Sequence, residues 1–181
     1  MNRSCSSHYH NQGINMLAIR IESSKIFMSR LLAGDLFDPF LLVEGMLVTS
    51  ITYNFDGHIN MDFYPLDERD ESHHPYEYQP WSDTQKAVYE LVKGSNTPLL
   101  MRFMLQIKPE KGIAALSKEL PDFDFSQVKA LLINIKYESG NVTITTGTSY
   151  KTFVMGHEAD QLWDKLFCKY LTGKEIEYEI L

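Results

Sequence analysis

Only two of the 181 residues are cysteine, too few to hold a fold together by disulfides. Cys5 lies in a polar leader and Cys168 among apolar residues of a helical pattern, so no bridge between them is expected and a reducing cytoplasm fits. Long hydrophobic runs are also missing: none approaches the roughly 20 residues that cross a bilayer. The first fifteen residues, MNRSCSSHYHNQGIN, lack the apolar core of a signal peptide. They read as a disordered extension, with His8 and His10 in an untethered tail rather than a metal site. Cations are scarce in the front half. Residues 1–85 hold five Lys+Arg against twelve Asp+Glu, whereas residues 86–181 hold twelve of each. With a net charge of −7, that balance disfavours a general nucleic-acid binder. A Gly-rich phosphate loop is absent too, because KGSNTP has neither the glycine spacing nor the Lys-Ser/Thr that follows it.

What is present is an ordinary globular composition, 44% apolar and 23% charged, long enough for one sizeable domain or two small fused units. MLAIRIE at the start of the patterned region is strand-like. A helix follows with Ile26, Phe27, Leu31 and Leu32 inward, stopped by Gly34. Residues 40–55 read as a long strand with Gly45 as a bulge. Register then predicts a hairpin whose three-residue loop is Phe55-Asp56-Gly57, with Gly57 left-handed. Tyr53 would oppose Ile59, Ile51 would oppose Met61, and Thr49 would oppose Phe63. The acidic, proline-bearing linker PLDERDESHHPYEYQP (65–80) has no period and is expected to be a mobile loop.

SDTQ (82–85) reads as a capping box for a helix with Ala87, Val88, Leu91 and Val92 inward. TPLLMRFMLQI is a strand, and Pro109 opens a short helix burying Ile113 and Leu116. A second hairpin pairs Tyr137 with Val142 and Ile135 with Ile144 around residues 138–141. A further strand, SYKTFV, follows a kink at Gly147. The clearest helix carries Ala159, Leu162, Trp163, Leu166, Phe167 and Tyr170 at helical spacing, and EIEYEI closes the chain as a strand. The order suggests an internal duplication: two similar β-α-β-hairpin-α halves, 16–97 and 98–181, pooling one core in a mostly antiparallel α+β domain over residues 16–181.

Residue types capable of chemistry are scattered rather than assembled. His73 and His74 lie near Asp67, Glu68, Asp70 and Glu71, but adjacent histidines diverge and no ligand spacing is fixed, so a solvated acidic loop is the simpler reading. TITTGTS offers hydroxyls that could hold an anion, yet threonine is also a good strand residue. Asp38 and Glu44 have no readable separation, and Asp38 before Pro39 suits a turn. Cys168 reads as a buried, inert thiol. Trp163 belongs to an apolar helical stripe. Trp81 adjoins the tyrosine-rich YEYQPW, and Tyr76, Tyr78 and Trp81 together are candidates for anchoring a protein partner. The polar face of the second hairpin, Asn134, Lys136, Thr143 and Thr145, is a candidate ligand surface.

Three stretches, LAIRIESSKIFMSRLLAGDLFDPFLLVEG (17–45), LVKGSNTPL (91–99) and TGTSYKTF (146–153), resemble an uncharacterised family from Firmicutes, mainly clostridia, known only as a domain of unknown function. The resemblance runs from Met16 to the C-terminus. It implies a bacterial cytoplasmic protein and carries over no activity or site residue. Two β-α-β-β-β motifs in tandem also look like one domain of a DNA sliding clamp, although the helices at 83–93 and 157–171 do not match simply.

The residues thus favour a non-enzymatic binding or scaffold module with no cofactor, no metal and no membrane partner. A clamp-like nucleic-acid protein using Lys25, Arg30, Lys111 and Lys118 is one alternative. A small-ligand protein or enzyme using the Asn134 face is the other.

Overall fold

The computed structural model describes residues 16–94, 96–121, 124–152 and 156–181; the leader with His8 and His10 lies outside them. Among the described residues the chain runs β1 (Ala18–Ile21), α1 (Ser24–Ala33), β2 (Phe40–Val48), β3 (Thr52–Asp56), α2 (Trp81–Val92), β4 (Leu100–Ile107), α3 (Pro109–Glu119), β5 (Val128–Glu138), β6 (Asn141–Tyr150), α4 (Glu158–Gly173) and β7 (Tyr178–Ile180). All seven strands join one antiparallel sheet in the order β3-β2-β4-β5-β6-β1-β7. The protein is α+β.

Strand alternation decides where the core lies. Phe40, Leu42 and Leu47 of β2, Met101, Phe103 and Leu105 of β4, Ile133 and Ile135 of β5, and Val142 and Ile144 of β6 point to one face and are buried. All four helices bury their apolar stripes on that same face, in a single cluster that includes Phe27 and Leu31 of α1, Trp81 and Val88 of α2, Leu116 of α3, and Trp163 and Phe167 of α4. The other face, with Met46, Arg102, Met104, Asn134, Lys136 and Thr145, stays half-buried or exposed. Two layers therefore share one core, and the other side of the sheet is mostly open, with Leu41 buried on it beside the Pro80 bridge.

The second hairpin keeps the expected register, but its loop is two residues and not the four from Glu138 to Asn141, because the ladder runs one pair further. Tyr137 pairs with Val142, Ile135 with Ile144 and Glu138 with Asn141. Ser139 and Gly140 turn between them at φ 51° and 82°, the left-handed pair that matches strand twist.

The first hairpin turns elsewhere. β2 and β3 pair Val48 with Thr52, Leu47 with Tyr53 and Gly45 with Phe55, so the turn is Thr49-Ser50-Ile51, closed by Thr49 N–H donating to the Ile51 carbonyl at 2.9 Å. This register puts Tyr53 and Phe55 against the core, as the alternation required, but it uses β3 itself as the second strand. Gly57 is therefore not a turn residue, and the bulge lies at Val43, between Leu42 and Glu44, not at Gly45.

Other expectations shift by a residue or a face. α2 starts at Trp81 after Pro80 with no side-chain cap, and it buries Trp81, Gln85 and Val88 while Ala87 and Leu91 face outward. Trp81 needs the core, and that rotates the helix. α3 buries Gly112 and Leu116, not Ile113. Gly112 approaches so closely that a Cβ would stand 3.0 Å from Ile107. Ile26 of α1 is exposed. β6 passes through Gly147 to Tyr150 unbroken, so the expected SYKTFV strand is its continuation and not a new one; Lys151 and Thr152 lie beyond the strand, and 153–154 fall outside the described residues. β4 lies beside β5, whereas β1 lies beside β6 and not β2, so strand order does not display the repeat that the sequence suggested.

Candidate interaction surface

β3 covers β2 only from Glu44 to Val48, and the edge of β2 beyond the bulge takes a different partner. Leu42 N–H donates to the Gln79 carbonyl at 2.9 Å, Gln79 N–H to the Gly57 carbonyl at 2.9 Å, and Gly57 N–H to the Val43 carbonyl at 3.0 Å. Bridges Leu41–Pro80 and His58–Tyr78 extend this seam. Gly57 lies so close to β2 that a Cβ would meet the Leu42 carbonyl oxygen at 1.7 Å. Here glycine is required by the approach of another backbone.

Between the two sides of the seam lies the acidic segment. Residues 56–79 carry seven Asp+Glu and one arginine. That arginine organises the first part: Arg69 Nε donates to the Tyr64 carbonyl at 2.9 Å, Nη1 to Asp62 Oδ1 at 2.9 Å and Nη2 to the Asp62 carbonyl at 3.1 Å. Asn60 accepts from Asp62 N–H at 3.1 Å and so starts a 3-10 turn at Met61–Phe63; a second covers Leu66–Glu68. Asp70 accepts from the Ser72 hydroxyl and from His73, which together pull its pKa far down. The rings of Tyr64 and His74 stack at 3.9 Å. Tyr76 donates to Glu110 at 2.8 Å, and Lys108 Nζ stands 5.7 Å from the Tyr76 ring centroid. The linker that lacked a sequence period is thus folded by side chains bonding to backbone, a pattern without periodicity to betray it.

His58 closes the corner. Its Nδ1 lies 2.8 Å from Asp56 Oδ1, its Nε2 lies 3.3 Å from Glu77 Oε1, and its ring packs on Tyr78 at 4.5 Å. The hydrogen bond to Asp56 is the main cause that raises the His58 pKa; burial opposes it, and the charges of Asp56 and Glu77 add to the rise. With both ring nitrogens facing carboxylates, the surroundings favour the protonated imidazole.

A cleft of about 410 Å³ opens at this corner, lined by residues that include Asn54, Phe55 and Asp56 of β3, Asn60 and Phe63 of the loop, and Thr84 of α2. Leu42, Gly57 and Gln79 of the seam line it as well, so the cleft lies where the end of β3 meets the seam and the loop. Phe63 and Leu66 stand out from the loop at 82% and 83% exposure. The sequence placed Phe63 on the dry side of a hairpin. The structure makes it one of the most exposed aromatic groups among the described residues.

The sequence candidates are distributed as follows. Trp81 is fully buried, donating from Nε1 to the Leu31 carbonyl at 3.0 Å and packing on Phe103 at 5.0 Å; it holds α2 to α1 and does not reach a partner. Tyr76 and Tyr78 are half-buried beneath the acidic loop, where they brace it. Asn134 pairs with Thr145 and Lys136 with Thr143, forming one block on the open sheet face. Lys136 is tied there to Glu138 at 2.6 Å. No group of three potential metal ligands forms among the described residues, and His73 and His74 turn to separate neighbours, Asp70 and Tyr64. Cys168 is buried. Asp38 and Glu44 are exposed. Arg30 donates to the Lys174 carbonyl at 2.5 Å, while Lys25, Lys111 and Lys118 are exposed on α1 and α3. No helix among the described residues is long and apolar enough to cross a membrane.

Fold and surface together define a two-layer α+β protein with a one-sided sheet and an acidic corner built over one sheet edge. Its residues 30–179 match the model of a family of unknown function, DUF5721, and the chain belongs to that family. No curated protein and no solved structure matches it.

Proposed function

We propose that this chain is a non-enzymatic, cytoplasmic protein-binding module, a single domain over residues 16–181 that docks its partner at the acidic corner. One observation carries the reading. Phe63 and Leu66, each more than four-fifths exposed, project from a loop that Arg69 fixes from within. Large apolar groups held rigid in water lose little freedom on binding and bury much surface, the two properties of an interface anchor. The surrounding carboxylates keep these groups soluble when unbound and select a basic counterpart. His58, the titratable ring beside the cleft, faces a carboxylate at each nitrogen, an arrangement that fits a role in holding the corner.

The test compares proteins retained from a bacterial lysate by the immobilised chain with those retained by Phe63→Ser/Leu66→Ser. Both side chains are outside the core, so the double variant should melt within a few degrees of the parent, and any partner should be lost at about 2 kcal/mol or more per anchor. An unchanged set of retained proteins would overturn this assignment.

A further inference from the structure

The reading above names a surface; the backbone beside it says how a partner attaches. β3 ends the sheet order and pairs only with β2. In an antiparallel pair, bonded and non-bonded positions alternate. Thr49 N–H bonds to the Ile51 carbonyl and Gly57 N–H to the Val43 carbonyl, which puts Tyr53 and Phe55 at the bonded positions toward β2. The N–H and C=O groups of Thr52, Asn54 and Asp56 therefore face outward, and the cleft opens at the Asn54–Asp56 end of the strand.

Sheet edges are usually blunted by lysine, proline or a bulge. β3 reads Thr-Tyr-Asn-Phe-Asp and has none of these; the bulge is on β2. The groove beside it is walled by Asn60 and Phe63 and includes Asp56; the loop that continues from it, residues 56–79, carries seven Asp+Glu against one arginine.

We propose that the free edge of β3 accepts an extended, lysine- or arginine-bearing segment of a partner protein as an added eighth strand, with one apolar side chain entering the cleft against Phe63. The assignment rests on the acidic corner being the docking surface. Main-chain hydrogen bonds supply the register, and alternate side chains meet the cleft and the carboxylates. A second copy of this chain fits less well. Antiparallel β3–β3 pairing about Asn54 sets Thr52 against Asp56, and β3 carries no cation to offer the other copy's acidic loop.

The probe is a fluorescein-labelled peptide of about eight residues alternating lysine with valine, with a glutamate–valine peptide as control. With the lysine peptide bound, exchange of the Thr52, Asn54 and Asp56 amide protons should slow by about tenfold or more, followed by NMR. Asn54→Pro removes one outward N–H at an edge position where proline is tolerated. It should weaken binding by about tenfold or more while Asn54→Ala, which keeps that N–H, stays within about twofold. Circular dichroism establishes that both variants remain folded.

Equal binding by the two variants, or unslowed amides in the bound state, overturns strand addition. If Phe63→Ser/Leu66→Ser abolishes binding while the amides stay unprotected, the corner still docks a partner and only the strand mode fails. Failure of the lysine peptide to bind better than the glutamate peptide also overturns the proposal. So does amide protection that grows with protein concentration alone, which would identify the second copy as the occupant.

Discussion

Gly57→Ala should lose the acidic corner and at least about 3 kcal/mol of stability, read as a fall in the urea midpoint. The added methyl would meet the Leu42 carbonyl oxygen at 1.7 Å and its carbon at 2.6 Å. Those are backbone atoms of a strand paired on its other side with β4, so neither can yield by rotating a side chain. The two segments must part by more than an ångström. That breaks the bonds Gly57–Val43, Gln79–Gly57 and Leu42–Gln79, each a near-buried backbone pair worth about 1 kcal/mol and dearer still when left unmade. Gly140→Ala makes an informative companion. It strains a left-handed turn at φ 82° but meets nothing within 4 Å, so it should cost only about 1 kcal/mol. If Gly57→Ala proves as mild as Gly140→Ala, the seam does not hold the corner as described.

This contrast explains what could be read from the chain. The register of the Gly140 hairpin was legible because its determinant is local, alternating apolar residues on each side; the loop was read as four residues because the polar pair Glu138–Asn141 does not show as strand. Gly57 looked equivalent, with Asp56 before it and alternation on both sides. Its role is set by Leu42, fifteen positions away, and by Gln79, which comes after the acidic linker. Nothing in the local pattern distinguishes a glycine that turns from one that lets a foreign backbone pass.

Trp81 shows the same limit from the other side. Its tyrosine-rich neighbourhood suggested a surface anchor, but the carbonyl of Leu31 that satisfies its indole lies on another helix. Phe63 and Leu66 were hidden because an exposed aromatic on a 3-10 turn carries no periodic mark. The fold class, the open face and the block of Asn134, Lys136, Thr143 and Thr145 needed only alternation, and those were readable. The family match adds most of the chain's length without adding a chemical role, so the corner has to be argued from its geometry.

Asp164→Asn should make the protein more stable at about pH 8 and remove a pH dependence that the parent shows between about pH 4 and 7. Asp164 was not among the residues singled out from sequence, because it interrupts the apolar stripe of α4. It is 2% exposed, accepts a hydrogen bond from Thr146 and leaves Oδ2 without a partner. Thr148, further along the same face of β6, also has a buried hydroxyl oxygen unpartnered among the described residues. Burial is the main cause that lifts the Asp164 pKa from 3.8 to about 6; the bonds from Thr146 and the Leu17 N–H pull the other way, and nearby Asp160 raises it slightly. Because the folded value lies above the unfolded one, the native state holds the proton more tightly. The group's stabilising contribution is complete below about pH 4 and falls away as pH rises through about 6. Two pKa units correspond to about 3 kcal/mol at the alkaline end. Asparagine keeps an oxygen for Thr146 and Leu17 and never ionises. The difference between variant and parent in urea titrations should therefore be near zero at about pH 4 and reach about 2–3 kcal/mol by pH 8. Asp164→Leu separates charge from hydrogen bonding, since it strands the Thr146 hydroxyl and should be less stable than Asn at every pH. A parent–variant difference that stays flat across this range would mean that Asp164 is solvated or matched by a buried cation, and the packing of α4 on β6 described above would be wrong.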